Sequence, residues 1–211
     1  MTKLWVYGCS FSEPFGLFPN GVVTINEDDK SRDFHGTDYW GTHLAKKLNV
    51  ECISKSCAGV GWNYINDRID EDIVKWNKDD FIVINPSFFS RVTFEELVKR
   101  DSQGDLGLLL RDWNFLVPHN EGRWRRKIQT LHHLGFANVY TWVVDNTAHA
   151  EEVDNLITAP GDYVNWKDWM DLHKEYWIDP DFNPPWGDWH FNAAGHVQVA
   201  NRMYEFICQQ Q

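Results

Sequence analysis

The chain is poor in cysteine, in basic charge and in long apolar runs, and each shortage excludes something. Four cysteines stand in 211 residues (Cys9, Cys52, Cys57 and Cys208), with no Cys-x-x-Cys spacing among them. That argues against a disulfide framework, a zinc knuckle or a thioredoxin-type pair, and fits reduced thiols in a cytoplasmic setting. Lys and Arg number 20 against 31 Asp and Glu, a net charge of −11, with a pI near 5.2. So acidic a chain repels phosphate backbones and anionic lipid surfaces, and neither nucleic acid nor a membrane is an expected partner. No apolar run approaches the roughly 18 residues of a membrane span. The opening apolar stretch is too short for a signal peptide. No Gly-x-Gly-x-x-Gly or phosphate loop follows the first apolar run, which speaks against a nucleotide-binding protein.

What is present is an ordinary globular balance with an unusual aromatic share. Apolar residues make up 43% and charged residues 24%, while aromatics reach 15% and include 12 Trp. The length predicts one domain spanning 1–211. A core of that size buries roughly 70% of the unfolded surface and needs no disulfide or metal.

Strand and helix patterns alternate along the chain. Leu4–Tyr7 reads as a buried strand, ending at Gly8. Asn20-Gly21 carries a hairpin signal. Tyr39, Trp40, His43, Leu44 and Leu48 recur at helical spacing behind Asp38 as the expected N-cap. Val50–Ser54 fits a second strand. Gly59 and Gly61 lead into a helix whose face is Ile65, Ile69, Ile73 and Trp76. Phe81–Ile84 reads as a strand covered on both faces. A helix over Arg123–Leu134, stopped by Gly135, precedes a strand over Val139–Val144. A helix is expected around Tyr163–Tyr176 and a Pro-rich turn at Pro180–Pro185. Asn192 caps a last helix, lined by Val197, Ala200, Met203, Tyr204 and Ile207. The alternation predicts an α/β fold with a mostly parallel sheet between helix layers.

Ligands of open α/β sheets bind beyond the carboxyl ends of the strands. The sequence puts Cys9, Ser10 and Ser12 after the first strand, Gly59 and Asn63 after the second, and Asn85 and Ser87 after the third. A Ser hydroxyl becomes a nucleophile when a His removes its proton and a carboxylate fixes that His. Asp188-Trp189-His190 offers such a pair two residues apart. Cys9 is an alternative nucleophile. His132, His133 and His173 lack metal-ligand spacing. Arg123, Arg125, Arg126 and Lys127 read as a solvated helix face, with a phosphate or glycan-acid contact as the minority reading.

These residues carry a resemblance. Gly8-Cys9-Ser10-Phe11-Ser12 resembles the first block of the SGNH (GDSL-type) hydrolases, and Gly59–Asn63 is similar to the second. Asp188-x-His190-x-Asn192-x-x-Gly195-His196 resembles the last block. The tone of the chain is also similar to short members of that family encoded by tailed phages. The resemblance implies a three-layer flavodoxin-like fold and a serine esterase. Ser10 would be the nucleophile, His190 the base and Asp188 its orienting carboxylate. Backbone N–H groups of Ser10 and Gly59 would hold the oxyanion, with Asn85 as a further candidate. It implies no metal and no cofactor, a small-molecule or glycan ester as substrate, and a location in the cytoplasm or, for a phage protein, the virion. Cys9 departs from the acidic residue of the first block, and Asp-x-His is one residue shorter than the commoner spacing. Asn85–Arg91 replaces the third block, Gly-x-Asn-Asp, so Asn85 or Ser87 would have to stand in for its Asn. That departure supports a second class of function, a weakly active or inactive domain serving as a glycan-binding or virion module.

Five of the 12 Trp (Trp166, Trp169, Trp177, Trp186 and Trp189) crowd toward the expected His. Trp186 and Trp189 flank Asp188 and are expected to wall a cleft for a flat, stacking substrate such as an acylated sugar.

Overall fold

The computed structural model describes residues 1–9, 12, 39–56, 60–87, 113–144, 153–161, 163, 166–176 and 191–210, with side chains from 117 onward in the third long segment. Ser10, the hairpin signal, Asp38, Gly59, the Pro-rich turn, Trp177, Trp186, Asp188, Trp189 and His190 lie outside the described residues.

Four parallel strands form one sheet: β1 (Lys3–Tyr7), β2 (Glu51–Ser54), β3 (Phe81–Ile84) and β4 (Val139–Thr141), in the order β2-β1-β3-β4. Apart from Lys3, the two central strands are apolar because both their faces are covered. Leu4, Val6, Tyr7 and Ile82–Ile84 have no exposed surface. Register runs Trp5 to Ile53 on one side and Trp5 to Ile82 on the other. All pairings between these four strands are parallel.

The helices among the described residues are α1 (Trp40–Leu48), α2 (Trp62–Asp72), α3 (Trp113–His133), α4 (Trp166–Leu172) and α5 (Ala193–Gln210). α1 packs with α5 and α2 packs with α3. Strand alternation feeds both layers. Trp5 and Tyr7 turn to Trp76 on the α2 side, at ring separations of 6.4 and 5.7 Å. Trp142 turns to Trp40 on the α1 side, 5.9 Å away and edge-on. Each buried side chain of this size contributes about 1.5–3 kcal/mol.

Two buried polar knots tie the sheet to its surroundings. Asp80, fully buried before β3, accepts from Lys3 N, Trp5 Nε1 and Asn77 N at 2.9, 2.9 and 3.0 Å. On the α2 side, Tyr7 donates to Asp72 at 3.2 Å while Trp76 Nε1 donates to the Tyr7 oxygen at 3.1 Å. Burial, then the Asp72 charge, holds the Tyr7 phenol well above its usual range, so it remains a neutral donor.

Several boundaries differ from expectation. Tyr39, not Asp38, stands at the N-cap of α1, and its N–H donates to Thr42 Oγ1 at 3.2 Å. α3 begins ten residues before Arg123 and runs through Pro118. Pro118 is the sixth residue of the helix, past the first turn, so it removes the bond its N–H would make to residue 114. Gly135 ends α3 with φ +83°, the left-handed stop expected of it. β4 ends at Thr141, yet Trp142–Val144 stay buried, and Trp142 N still donates to Ile84 O at 3.2 Å. The helix expected at Tyr163–Tyr176 is Trp166–Leu172 followed by a short 3₁₀ turn. On α5 the inward residue is Val199, not Val197, which is exposed. Trp5, Trp40, Trp62, Trp142, Trp166 and Trp169 are all core.

Candidate active site

The strand order defines where a ligand belongs. The chain moves from β1 outward to β2, then returns past β1 to β3, so the connections after β1 and β3 leave in opposite directions. The crevice opens at that switch point, beyond the carboxyl ends of β1 and β3. Gly8, Cys9 and Ser12 stand at one lip, and Asn85 and Ser87 at the other.

At the first lip the chain folds back at once. Ser12 N donates to Cys9 O at 2.8 Å, closing a four-residue span that contains Ser10 in sequence. The reversal brings Ser12 over Gly8: a Cβ on Gly8 would lie 2.5 Å from Ser12 Oγ and 3.1 Å from Asn85 Cβ. Only glycine fits there, which explains the residue that opens the motif. Ser12 Oγ is fully buried and finds no hydrogen-bond partner among the described residues.

Asn85 joins the two lips. It has no exposed surface. Its Oδ1 accepts from Cys9 Sγ at 3.5 Å and from Ser87 N at 3.1 Å, while Nδ2 donates to Trp142 O at 3.2 Å. Its backbone N donates to Tyr7 O at 2.8 Å, which continues the β1–β3 pairing past the strand end. Pro86 cannot donate to the ladder, so strand pairing stops there. Ser87 then takes a left-handed φ of +67°, and its Oγ donates to Val60 O at 3.0 Å. A non-glycine residue in that region is held by its surroundings. Here the Asn85 and Val60 bonds hold it.

The β2 side is fixed more simply. Lys55 N donates to Val6 O at 2.8 Å, and Ser56 Oγ to the same carbonyl at 3.5 Å. These bonds set the point from which 57–59 depart. Gly61 begins α2 with extended backbone and no side-chain cap. Asn63, in the first turn, accepts a hydrogen bond from the Arg123 guanidinium on α3.

The last block assembles at the same edge. Phe191 packs on Trp142 with ring centroids 6.4 Å apart, and Trp142 O is the carbonyl Asn85 holds. His196 is buried edge-on to Phe191 and Tyr39 at 5.7 and 6.5 Å. Asn192 caps α5, accepting from Gly195 N at 2.9 Å. It also donates through Nδ2 to Glu175 O at 2.8 Å, and its backbone N donates to Tyr176 O at 2.8 Å. A Cβ on Gly195 would stand 2.6 Å from Tyr176 O, so Gly195 permits this closure. Asn192, Gly195 and His196, three of the five fixed residues of the most specific motif in the chain, are therefore structural. They fix the exit of the segment that carries Asp188 and His190 in sequence.

Near this edge, burial pushes the Cys52 thiol up to about 11, against the opposing effect of its hydrogen bond with Tyr39. The Tyr39 phenol is also raised well above its usual range, first by burial and then by Cys52. Both are neutral neighbours. Cys9, Cys52 and Cys208 are free thiols. The described residues hold no cluster of three or more His, Cys, Asp or Glu suited to a metal ion. No helix among them is long and apolar enough to cross a membrane.

Of the residues expected in the triad, the oxyanion hole and the stacking wall, only Asn85 and its alternative Ser87 fall within the described set, together with the flanks of the others: Cys9 and Ser12 around Ser10, Val60 after Gly59, and Phe191 after His190. Sequence reasoning missed the latch from Ser87 to Val60 and the Arg123–Asn63 pairing. Both are long-range and leave no local signature; the Pro after Asn85 was the one visible mark that strand pairing must end there.

Comparison with solved structures gives the fold a class. A lipase from a goat-rumen metagenome matches with a TM-score of 0.52 at 9% identity, over 98% of this chain and 97% of its own. A lipase/acylhydrolase from Enterococcus faecalis matches at 0.50 and 10% identity, over 99% and 97%. A protein from Parabacteroides merdae described as a GDSL-like lipase matches at 0.50 and 13% identity, over 100% and 96%. The chain thus has the flavodoxin-like α/β fold of the GDSL-type (SGNH) lipolytic enzymes. No protein-family model and no curated protein matches it.

Proposed function

We propose that the chain is a serine esterase of the SGNH type that cleaves acetyl or short acyl esters, carbohydrate esters included. One observation carries this reading: the described neighbours of Ser10 and of His190 meet at one sheet edge, linked through Asn85, Trp142 and Phe191. In the proposed reaction His190 takes the Ser10 proton as Ser10 Oγ attacks the ester carbonyl, and Asp188 stabilises the imidazolium. Backbone N–H groups of Ser10 and Gly59 receive the oxyanion, each such donor contributing about 3–4 kcal/mol in the transition state. His190 returns the proton to the leaving alcohol. Water, activated in the same way, then cleaves the acyl-enzyme and restores Ser10. Asn85 has one Nδ2 hydrogen beyond its bond to Trp142 O, and that is the hydrogen an oxyanion role would use. Trp186 and Trp189 form the stacking wall for the sugar.

The engagement of Asn85 with Trp142 also favours a second reading, a glycan-binding or virion-associated module with little activity. An aryl acetate assay on wild type and Ser10→Ala, with a serine-directed phosphonate as covalent probe, separates the two. Ser10-dependent turnover and labelling are expected. No labelling and no Ser10-dependent rate would leave the binding module.

A further inference from the structure

Several described cations of this acidic chain sit beside carboxylates, Lys75 with Asp72 at 2.6 Å, Arg68 with Glu71 at 2.7 Å and Lys167 with Asp171 at 2.6 Å, while Arg202 donates to Thr158 O and Oγ1. At the seam between α2 and α3, Lys127 pairs with Asp70 at 2.5 Å. Arg123, one turn earlier on α3, does not follow the pattern. It is half-buried, its hydrogen-bond partner is the neutral amide oxygen of Asn63, and no carboxylate among the described residues lies within 4.0 Å of it. A cation withdrawn from water without a counter-charge is unfavourable unless something supplies that charge.

The position of Arg123 says what that could be. Asn63 lies three residues after Val60, whose carbonyl holds Ser87 Oγ at the lip of the switch-point crevice. Arg123 is therefore at the rim of the candidate active site, on the α2–α3 side. It is also fixed in place. The adjacent Trp124 is fully buried, and its Nε1 donates to Thr141 Oγ1 at 3.1 Å. Lys127 clamps the next turn. Asn63 occupies one of the five guanidinium N–H groups, and the others keep the planar fork that matches a two-oxygen acceptor. A pre-positioned arginine of this kind loses little side-chain freedom when it binds.

We propose that Arg123 determines specificity by binding an oxyanion group, a carboxylate or a sulfate, on the substrate of the proposed esterase. The proposal rests on that reading for its substrate and on Arg123 alone for its sign of charge. The preferred substrate is then an ester of an acidic sugar.

The test compares kcat/KM for an O-acetylated glucuronoside, an O-acetylated glucoside 6-sulfate and the uncharged O-acetylated glucoside. Wild type should prefer at least one charged ester by about tenfold, and the preference should shrink with added NaCl. Arg123→Gln should abolish it, and Arg126→Gln, which removes an exposed cation of the same helix, should keep it. If Arg123→Gln does not fold, the wild-type preference and its salt dependence decide. Binding of glucuronate and glucose 6-sulfate to Ser10→Ala, read by calorimetry, separates the two layers of inference. Binding that Arg123→Gln removes, without Ser10-dependent turnover of any ester, keeps the anion subsite and overturns the esterase. Equal turnover of all three esters, with no binding of either acid, overturns the subsite and leaves the esterase standing.

Discussion

Cys9 and Asn85 face each other across the carboxyl ends of β1 and β3, with Sγ 3.5 Å from Oδ1. The same Oδ1 holds Ser87 N, and the amide nitrogen holds Trp142 O. One buried amide thus sets the distance between the Ser10 turn, the loop after β3 and the end of β4. Asn85→Ala leaves two backbone groups without this partner, each worth about 1–3 kcal/mol when buried. The melting temperature should fall. In whatever fraction folds, kcat should drop at least tenfold with a smaller change in KM, because on the proposed mechanism the displaced loops would carry the groups that act in the transition state. Melting curves together with steady-state kinetics check both arms.

Gly8→Ala should destabilise by about 1–3 kcal/mol, the usual cost of forcing a methyl into filled space. Its Cβ meets both Ser12 Oγ and Ser12 Cβ, at 2.5 and 2.7 Å. Replacing Ser12 by Gly in the same chain removes both clashing atoms. The double variant should therefore recover part of the loss, and a double-mutant cycle in urea would show a coupling of opposite sign to each single effect. Strict additivity would mean that the reversal at Cys9–Ser12 is not the source of strain.

Asp80→Ala strips three donors of their acceptor at the amino ends of β1 and β3. A loss of about 3–5 kcal/mol is expected, and for a chain whose whole stability is about 5–15 kcal/mol that is close to unfolding. Chemical denaturation should show the midpoint collapse while the slope is kept.

Cys52 gives a prediction in pH. Its folded value of about 11 lies above the ordinary 9.0 of a free thiol, so the folded chain holds this proton where the unfolded chain has released it. Stability from this group is complete below about pH 9 and is lost as pH rises toward 11. Tyr39 and Tyr7, raised in the same sense, steepen the decline at still higher pH. Cys52→Val should flatten the alkaline limb of a melting-temperature profile between pH 8.5 and 10.5 at the Cys52 contribution, and a profile identical to wild type would refute the assignment. In the native protein a thiol reagent should modify exposed Cys208 well before Cys52.

Alanine in place of Trp186 and Trp189 should lower turnover of a glycan ester more than turnover of a small aryl acetate. Base-like stacking surfaces matter only for a substrate with a ring to cover. Equal losses on the two substrates would remove the stacking role.

The sheet and its helices were legible because they are written in local pattern. Phe81–Ile84 and Leu4–Tyr7 are uninterrupted apolar runs, and Gly135 marks its helix end with the one residue that takes a left-handed φ at no steric cost. The start of α3 was hidden because Pro118 reads as a breaker from sequence, whereas the helix runs through it. Val197 and Val199 were exchanged because two valines two apart cannot both face the core of a helix, and only the tertiary contacts choose. The site was legible as a set of strand-end residues and not as a network. Asn85 reads as one polar residue after a strand; that it touches Cys9, 76 positions away, depends on the sheet order alone.

The closure between Tyr176 and Asn192 has a consequence of its own. Tyr176 and Asn192, which bracket residues 177–191 in sequence, are zipped together, with Tyr176 O bonded to Asn192 N and Glu175 O to Asn192 Nδ2. Trp186, Asp188, Trp189 and His190 all belong to that insert. The stem is a socket, and the insert is a replaceable cassette. Loop closure costs only about 0.6 kcal/mol for each doubling of length, so inserts of different length and composition could occupy the same socket. On the proposed reading, exchange of that one contiguous segment would change substrate choice and leave the sheet and the Asn85 bracket as they are.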